Sequence, residues 1–126
     1  MLTIVKFSYF AVQTPAINNL RSKLRYAEDA NNPQLMPLWL MSEETLIADD
    51  HSARWHLYCA EFYLLLDTIT DNLLPMHWRQ LCSDNIYRPL TDLSRISFCE
   101  DNKKQLRQFW LELNITSHYF QENMNS

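Results

Sequence analysis

The sequence predicts an all-α protein, a compact bundle of about five helices around one buried central helix. Three observations lead to this prediction. The 126-residue chain has no glycine and five prolines, so helical periodicity is broken only at a few sharp points. Apolar residues recur every three or four positions through most of the chain. The segment 55–66 is apolar on every side of a helix, which is typical of a helix buried by its neighbours.

The first predicted helix spans about residues 15–29. Thr14 and Pro15 have the pattern of an N-cap followed by the first helical residue. The segment before it, 2–12, is rich in β-branched and aromatic residues, as a strand would be. A lone strand is unstable unless it pairs. We therefore expect a short helix at 2–12, with an edge strand as the alternative.

The middle of the chain predicts a connector and then the central helix. The apolar segment 35–41 follows Pro33 and is interrupted by Pro37, so we expect a connector packed on the core. The central helix is predicted at about residues 52–74, because Pro75 disfavours helical backbone just before it. Full burial of this helix requires several surrounding helices or a second subunit.

Two further elements are predicted in the C-terminal half. Pro75 fits the first position of a new helix, which Pro89 is expected to end. Ser97 and Glu100 have the spacing of a capping box. A final amphipathic helix is therefore predicted to follow them and to end at about Tyr119.

Length and composition fit a single domain. Residues 1–120 are predicted to fold as one unit and the polar residues 121–126 to form a flexible tail. Cys59, Cys82 and Cys99 are an odd number in apolar segments, which favours reduced thiols over a disulfide framework. The longest apolar run is too short to span a bilayer. We therefore expect a cytoplasmic protein with no membrane partner.

The absence of glycine argues against several classes of enzyme. Phosphate-cradling loops, dinucleotide fingerprints and nucleophile elbows all need glycine at fixed positions. Zinc sites need closely paired ligands and di-iron bundles need two Glu-x-x-His pairs, but the histidines and cysteines here are widely spaced. His77 and Cys82 have the residue types of a base and a nucleophile, without an orienting third group. We predict no catalytic residue, no metal and no cofactor.

Charge is segregated along the chain. All charged side chains among the first 25 residues are basic. The charged side chains of residues 43–71 are all acidic except that of Arg54. Two solvated faces, or a cationic helix lying against an acidic one, would explain this pattern. An acidic surface that selects a partner is the more specific alternative. The candidate residues for that surface are Asp49, Asp50, Asp67 and Asp71.

The surplus of aromatic residues favours protein binding. Four tryptophans, six tyrosines and six phenylalanines are difficult to hide in one small bundle, so some of them are expected to face another chain. We predict an interaction module that binds a partner protein as a regulator, adaptor, inhibitor or chaperone, and that forms a homodimer. The candidate anchor residues are Trp39, Trp55, Phe62, Tyr63 and Trp110.

DNA binding, as a transcriptional regulator, is the alternative function. Arg21 and Arg25 are one turn apart on the first predicted helix. Lys103, Lys104 and Arg107 cluster on the last predicted helix, and such clusters can follow phosphates. The net charge of −4 lacks the basic balance of a typical nucleic-acid binder. We therefore rank DNA binding below protein binding.

Overall fold

The structure is a computed structural model that describes residues 7–124, and over that range it contains six α-helices and no strand. The all-α bundle that the sequence predicts is confirmed. None of the described helices is both long enough and apolar enough to cross a membrane. In chain order the helices are α1 (Pro15–Arg25), α2 (Leu35–Leu46), α3 (His51–Ile69), α4 (Met76–Asn85), α5 (Tyr87–Arg95) and α6 (Glu100–Met124).

Helix α3 is the central helix of the bundle, as predicted. It packs against α1, α4, α5 and α6, which is why Phe62, Leu64 and Leu65 have no exposed surface. The Phe62 ring stacks on that of Phe109 from α6, with centroids 4.6 Å apart. The apolar surface of α3 is therefore covered on all sides by four other helices of the same chain.

Helix α3 ends at Ile69, earlier than predicted. Beyond it, the Asp71 carboxylate accepts a hydrogen bond from the Leu73 N–H at 3.0 Å. An aspartate that bonds the backbone two residues ahead favours a turn over a helix. The chain therefore leaves the helix before Pro75 is reached.

The predicted connector at 35–41 is wrong, because this segment is the first part of α2. Pro37 is the third residue of that helix. N–H groups in the first turn of a helix have no carbonyl partner within it, so a proline there removes no hydrogen bond. The helix then continues through the acidic residues to Leu46.

Helix α1 begins as predicted and ends early. Thr14 accepts a hydrogen bond from the Ile17 N–H. At the other end, Ala27 has a φ of 53°, and the Glu28 N–H donates to the Lys23 carbonyl at 3.2 Å. This is the closing hydrogen bond of a Schellman motif, whose left-handed residue is normally glycine. The glycine-free chain places an alanine there.

Two boundaries near the C-terminus differ from prediction. Pro89 lies in the first turn of α5 and does not end a helix; the break falls between Asn85 and Tyr87. The Ser97 hydroxyl donates to the Ser94 carbonyl, whereas the Asn102 N–H near the start of α6 donates to Cys99 Sγ. The predicted capping box of Ser97 and Glu100 therefore does not form. Helix α6 continues past Tyr119 to Met124.

The segments predicted at the two termini are described only in part. Residues 2–6 of the predicted helix or strand lie outside the described residues, and 7–12 form turns and bends. Phe10 of that segment is buried. Of the predicted tail, residues 121–124 belong to α6, and 125–126 lie outside the described range.

A buried ion pair joins α1 to α2. Arg21 donates from Nε and Nη2 to the two carboxylate oxygens of Glu43, at 2.8 and 2.7 Å. Trp39 Nε1 donates to the same carboxylate at 2.8 Å. Arg21 Nη1 donates to the Val12 carbonyl at 2.6 Å, and the Phe10 ring centroid lies 3.8 Å from the guanidinium carbon. Both charges are thus paired and hydrogen-bonded.

Ala27→Gly is expected to stabilise the protein by about 1 kcal/mol, because left-handed backbone costs an L-residue about 1–2 kcal/mol and glycine much less. Urea unfolding of the purified variant measures this. Ala30→Gly is the control, since Ala30 has no positive φ; it should destabilise. A loss of stability in Ala27→Gly would contradict the argument.

Glu43→Gln is expected to cost about 3–5 kcal/mol, because it leaves the buried Arg21 charge without its counter-ion. Asp49→Asn is the matched control, since the Asp49–Arg54 pair is largely exposed and should change stability by less than about 0.5 kcal/mol. Chemical denaturation followed by circular dichroism compares the two. Equal stabilities would show that the pair does not hold α1 to α2.

Candidate functional site

The structure divides the predicted aromatic anchors between core and surface. Trp39 and Phe62 are fully buried, so their side chains are not available to a partner in this fold. Trp55 and Tyr63 are half-buried on α3, and Trp55 Nε1 donates to the side chain of Gln105 on α6 at 3.0 Å. Trp110 is 37 % exposed on α6. It is the most accessible of the five.

The predicted acidic residues lie at the two ends of α3. Asp50 caps the N-terminal end by accepting a hydrogen bond from the Ala53 N–H, and Asp49 contacts Arg54. Asp67 and Asp71 lie near the other end, about 25 Å away at 1.5 Å per residue. The four carboxylates therefore belong to two separate surfaces.

The predicted basic residues also separate. Arg21 is buried against Glu43. Arg25 pairs with Asp71 at 2.8 Å, and this pairing holds the pKa of the Asp71 carboxyl below its usual range. The cationic α1 therefore lies against acidic residues of the 43–71 segment. The residues that remain exposed are Lys103, Lys104 and Arg107, near the start of α6.

Helix α6 carries an exposed apolar stripe that the sequence reasoning missed. Leu111, Ile115 and Tyr119 are 60, 51 and 64 % exposed. They are spaced four residues apart, so they follow one face of the helix. We call these three residues the outer stripe. The other face of α6 packs into the core through Phe109, Leu113 and Phe120.

A sequence signal for the outer stripe does exist. The core-facing residues alone account for an amphipathic helix, and Leu111, Ile115 and Tyr119 then remain as apolar residues on the opposite face. A helix with a single apolar face has no such apolar residues on its opposite face. Apolar residues on both faces of a helix at the edge of a bundle indicate a second contact.

The surroundings of the outer stripe are aromatic on one side and charged at the ends. The rings of Trp110 and of Tyr87 on α5 lie beside each other, with centroids 5.9 Å apart, and both are exposed. Lys104 lies towards the N-terminal end of α6. Glu122 lies towards the other end, 3.1 Å from His118. The outer stripe therefore lies between a basic residue on its N-terminal side and an acidic residue on its C-terminal side.

An opening of about 530 Å³ lies beside the buried ion pair. Its walls include Phe10, Ile47 and His56. Arg21 and Glu43 also reach it, but they are already bonded to each other. The opening therefore presents mainly apolar surface, and its other charged side chain, Asp50, accepts the hydrogen bond that caps α3.

The thiols and histidines form no cluster with obvious chemistry. Burial raises the pKa of Cys59 and of Cys82 to about 12, so both thiols are protonated at neutral pH. The His77 ring is hydrogen-bonded to the Ala30 carbonyl oxygen at 3.0 Å. Within residues 7–124, no three His, Cys, Asp or Glu side chains are placed to hold a metal ion.

Glu61 has a chemically unusual setting. It lies in the middle of α3 and is 2 % exposed. Burial raises the pKa of its carboxyl well above the usual range, the charges of Glu43, Asp92 and Glu44 raise it further, and Arg88 opposes them. In the sequence, Glu61 is the one charged residue of the otherwise apolar segment 57–66.

Comparison with known proteins adds no constraint, since no protein-family model, curated protein or solved structure matches this chain.

Glu61→Gln is expected to stabilise the protein at pH 8 and to leave its stability at pH 4 nearly unchanged. Below the ordinary pKa of 4.5, the carboxyl is protonated in both the folded and the unfolded chain. Above it, only the unfolded chain releases the proton readily, so the wild type loses up to about 1.4 kcal/mol of stability per pH unit until the folded pKa is reached. Glutamine does not titrate and removes this slope.

Thermal melts of both proteins between pH 4 and 8 measure the difference. Glu112→Gln, on the exposed side of α6, is the control and should show the pH dependence of the wild type. If the melting temperatures of the wild type and of Glu61→Gln change in parallel with pH, the Glu61 carboxyl ionises in the folded protein as readily as in the unfolded chain.

Proposed function

We propose that this protein is a small interaction module that forms a homodimer through the outer stripe of α6 and binds a partner protein as a regulator or adaptor. The observation that carries the proposal is the exposure of Leu111, Ile115 and Tyr119 along one helix face. Contiguous exposed apolar residues mark interaction surfaces. Trp110 and Tyr87 widen this surface with the aromatic residues that interfaces favour.

The charges at the ends of the stripe support an antiparallel pairing of two α6 helices. In a two-fold dimer, residues at equal distances from the centre meet their counterparts in the other copy. If the axis crosses the outer face of α6 at the level of position 113, then Leu111 meets Ile115 of the second copy. Lys104 of each copy then meets Glu122 of the other. Apolar residues pair at the centre and opposite charges pair at both ends.

A parallel pairing of the same helices is less favourable. It would place Lys104 opposite Lys104 and Glu122 opposite Glu122, and like charges across an interface oppose association. Along the helix face that joins Lys104 to Glu122, alternate steps of four and three residues separate positions 104, 108, 111, 115, 118 and 122. This is the spacing of two helices that cross at a shallow angle.

The state of the cysteines supports a cytoplasmic location. Cys59, Cys82 and Cys99 are all free thiols, and reducing compartments maintain thiols in this form. Cys99 is exposed, so an oxidising environment would leave a reactive thiol at the surface.

DNA binding has one supporting observation, the exposed cluster of Lys103, Lys104 and Arg107. The two arginines expected to act with them, Arg21 and Arg25, are paired with acidic side chains. We therefore keep protein binding as the proposal. A gel shift with Lys103→Glu separates the two, since retention of DNA that this change abolishes would favour the alternative.

Ile115→Lys is expected to convert the dimer into a monomer, because it places two unpaired charges at the centre of the proposed interface. Sedimentation velocity over a range of concentrations measures the assembly. Leu73→Lys is the matched control, since Leu73 is an exposed leucine outside α6 and its replacement should leave the dimer intact. A wild-type chain that is monomeric at millimolar concentration would refute the proposal.

Charge exchange tests the antiparallel register. Lys104→Glu or Glu122→Lys alone should weaken the dimer by about 2- to 5-fold, as expected for exposed ion pairs. The double variant restores opposite charges and should recover most of the affinity. If the double variant is weaker than either single variant, the two residues do not meet across the interface.

A further inference from the structure

A second opening, of about 340 Å³, lies between α2, α3 and α5. Its volume is at the low end of the range for small-ligand pockets. One wall is apolar and comes from α2. The other groups are the Glu61 carboxyl of α3 and charged side chains of α2 and α5. The lining residues are Pro37, Leu40, Met41, Glu44, Glu61, Arg88 and Asp92.

The Glu61 carboxylate has no hydrogen-bond donor among residues 7–122, whose side chains the structure describes. Every side-chain nitrogen or oxygen that is fully enclosed in this part of the chain does have a partner. The Glu61 oxygens must therefore reach the opening that the residue lines. Glu43 offers the contrast, because its equally buried carboxylate accepts hydrogen bonds from both Arg21 and Trp39.

The other charges around the opening leave it acidic. Both carboxylate oxygens of Glu44 already accept hydrogen bonds, one from Arg54 and the other from Tyr58. The half-buried Asp92 lies 3.6 Å from the exposed Arg95. Arg88 is the one cation among the lining residues described here. With Glu44 already paired, Glu61 and Asp92 face one guanidinium, and this balance favours a further cation in the opening.

We propose that this opening binds a primary ammonium or guanidinium group carried on a short alkyl chain. The cationic head pairs with the Glu61 carboxylate, which releases its proton to solvent as the cation binds, and the methylene groups lie against Leu40 and Met41. A metal ion fits less well, because it would leave the apolar wall unused and the described residues offer no three-ligand group. This site is separate from the α6 surface, so it goes beyond the proposed dimer and stands without it.

The setting of Glu61 supplies the physical reason for binding. A carboxyl group without a hydrogen-bond partner is costly to bury, and its charged form costs more than its neutral form. A cation bound at the carboxylate provides both the missing donor and the opposite charge. The same chemistry is found on lysine or arginine side chains of a partner and on free alkyl amines.

Amide chemical shifts of ¹⁵N-labelled protein test the proposal during titration with n-butylammonium at neutral pH. The amides of residues 40, 41, 61 and 92 are expected to shift in a saturable manner, whereas neutral n-butanol should give little change. Glu61→Gln should weaken n-butylammonium binding about 10- to 100-fold, the loss expected for one charge-assisted hydrogen bond. Glu112→Gln should bind as the wild type does.

Two further variants keep the test independent of the folding of Glu61→Gln. Asp92→Asn should weaken n-butylammonium binding by a smaller factor, and Arg88→Gln should strengthen it, because the Arg88 guanidinium lines the opening and repels a second cation. Absence of saturable binding to the wild type, or equal affinity of the wild type and Glu61→Gln, would overturn the proposal.

A second probe distinguishes the sources of the cation. Nα-acetyl-lysine N-methylamide presents the same ammonium group on a peptide unit. If it binds at least as tightly as n-butylammonium, the opening accepts a lysine side chain of a partner protein. If only n-butylammonium binds, the site takes a free amine. Each of these results supports the proposed site, and failure of both probes refutes it.

Discussion

The buried pair of Arg21 and Glu43 is the contact on which the first third of the structure depends. A bidentate guanidinium–carboxylate pair fixes both distance and orientation, so it sets how α1 lies on α2. Through Nη1 it also fixes the turn that contains Val12. Removing one member would leave a buried charge unpaired, which costs far more than the intact pair contributes. The arrangement therefore specifies one packing of these elements.

The position of α1 determines further contacts. With α1 fixed, Arg25 meets Asp71 just beyond the end of α3, and the Leu24 carbonyl accepts a hydrogen bond from Trp78 Nε1 of α4 at 2.8 Å. One helix without acidic residues thus contacts elements that lie far along the chain. The charge segregation of the sequence has its explanation here, as pairing between elements within the bundle.

Sequence reasoning succeeded where a single local pattern decides the outcome. The segment 55–66 is apolar on all sides, and only a central buried helix accommodates that. It failed at Pro37, because the effect of a proline depends on its position in a helix. The start of α2 at Leu35 could not be predicted, because no side chain caps it. Arg21 was assigned to a surface for a similar reason. Its partner Glu43 is 22 residues away, and no periodicity relates them.

The candidate surfaces were only partly predictable from the sequence. Trp110 was singled out as an aromatic anchor and is exposed. Trp39 has the same chemistry and is buried, and composition alone cannot separate the two. The outer stripe required knowledge of which face of α6 the core takes. The opening at Glu61 required the placement of α2 and α5, which the sequence reasoning did not supply.

Glu61 and Glu43 together show how burial acts differently on two carboxylates of the same bundle. Glu43 receives donors from two side chains, so its charge is balanced inside the protein. Glu61 lies among like charges and faces an opening. Burial makes its charged form unfavourable, and the apolar residues around it would pack against a leucine without that cost. A cation bound at Glu61 would offset this cost, which is the physical reason for placing the proposed site at this carboxylate.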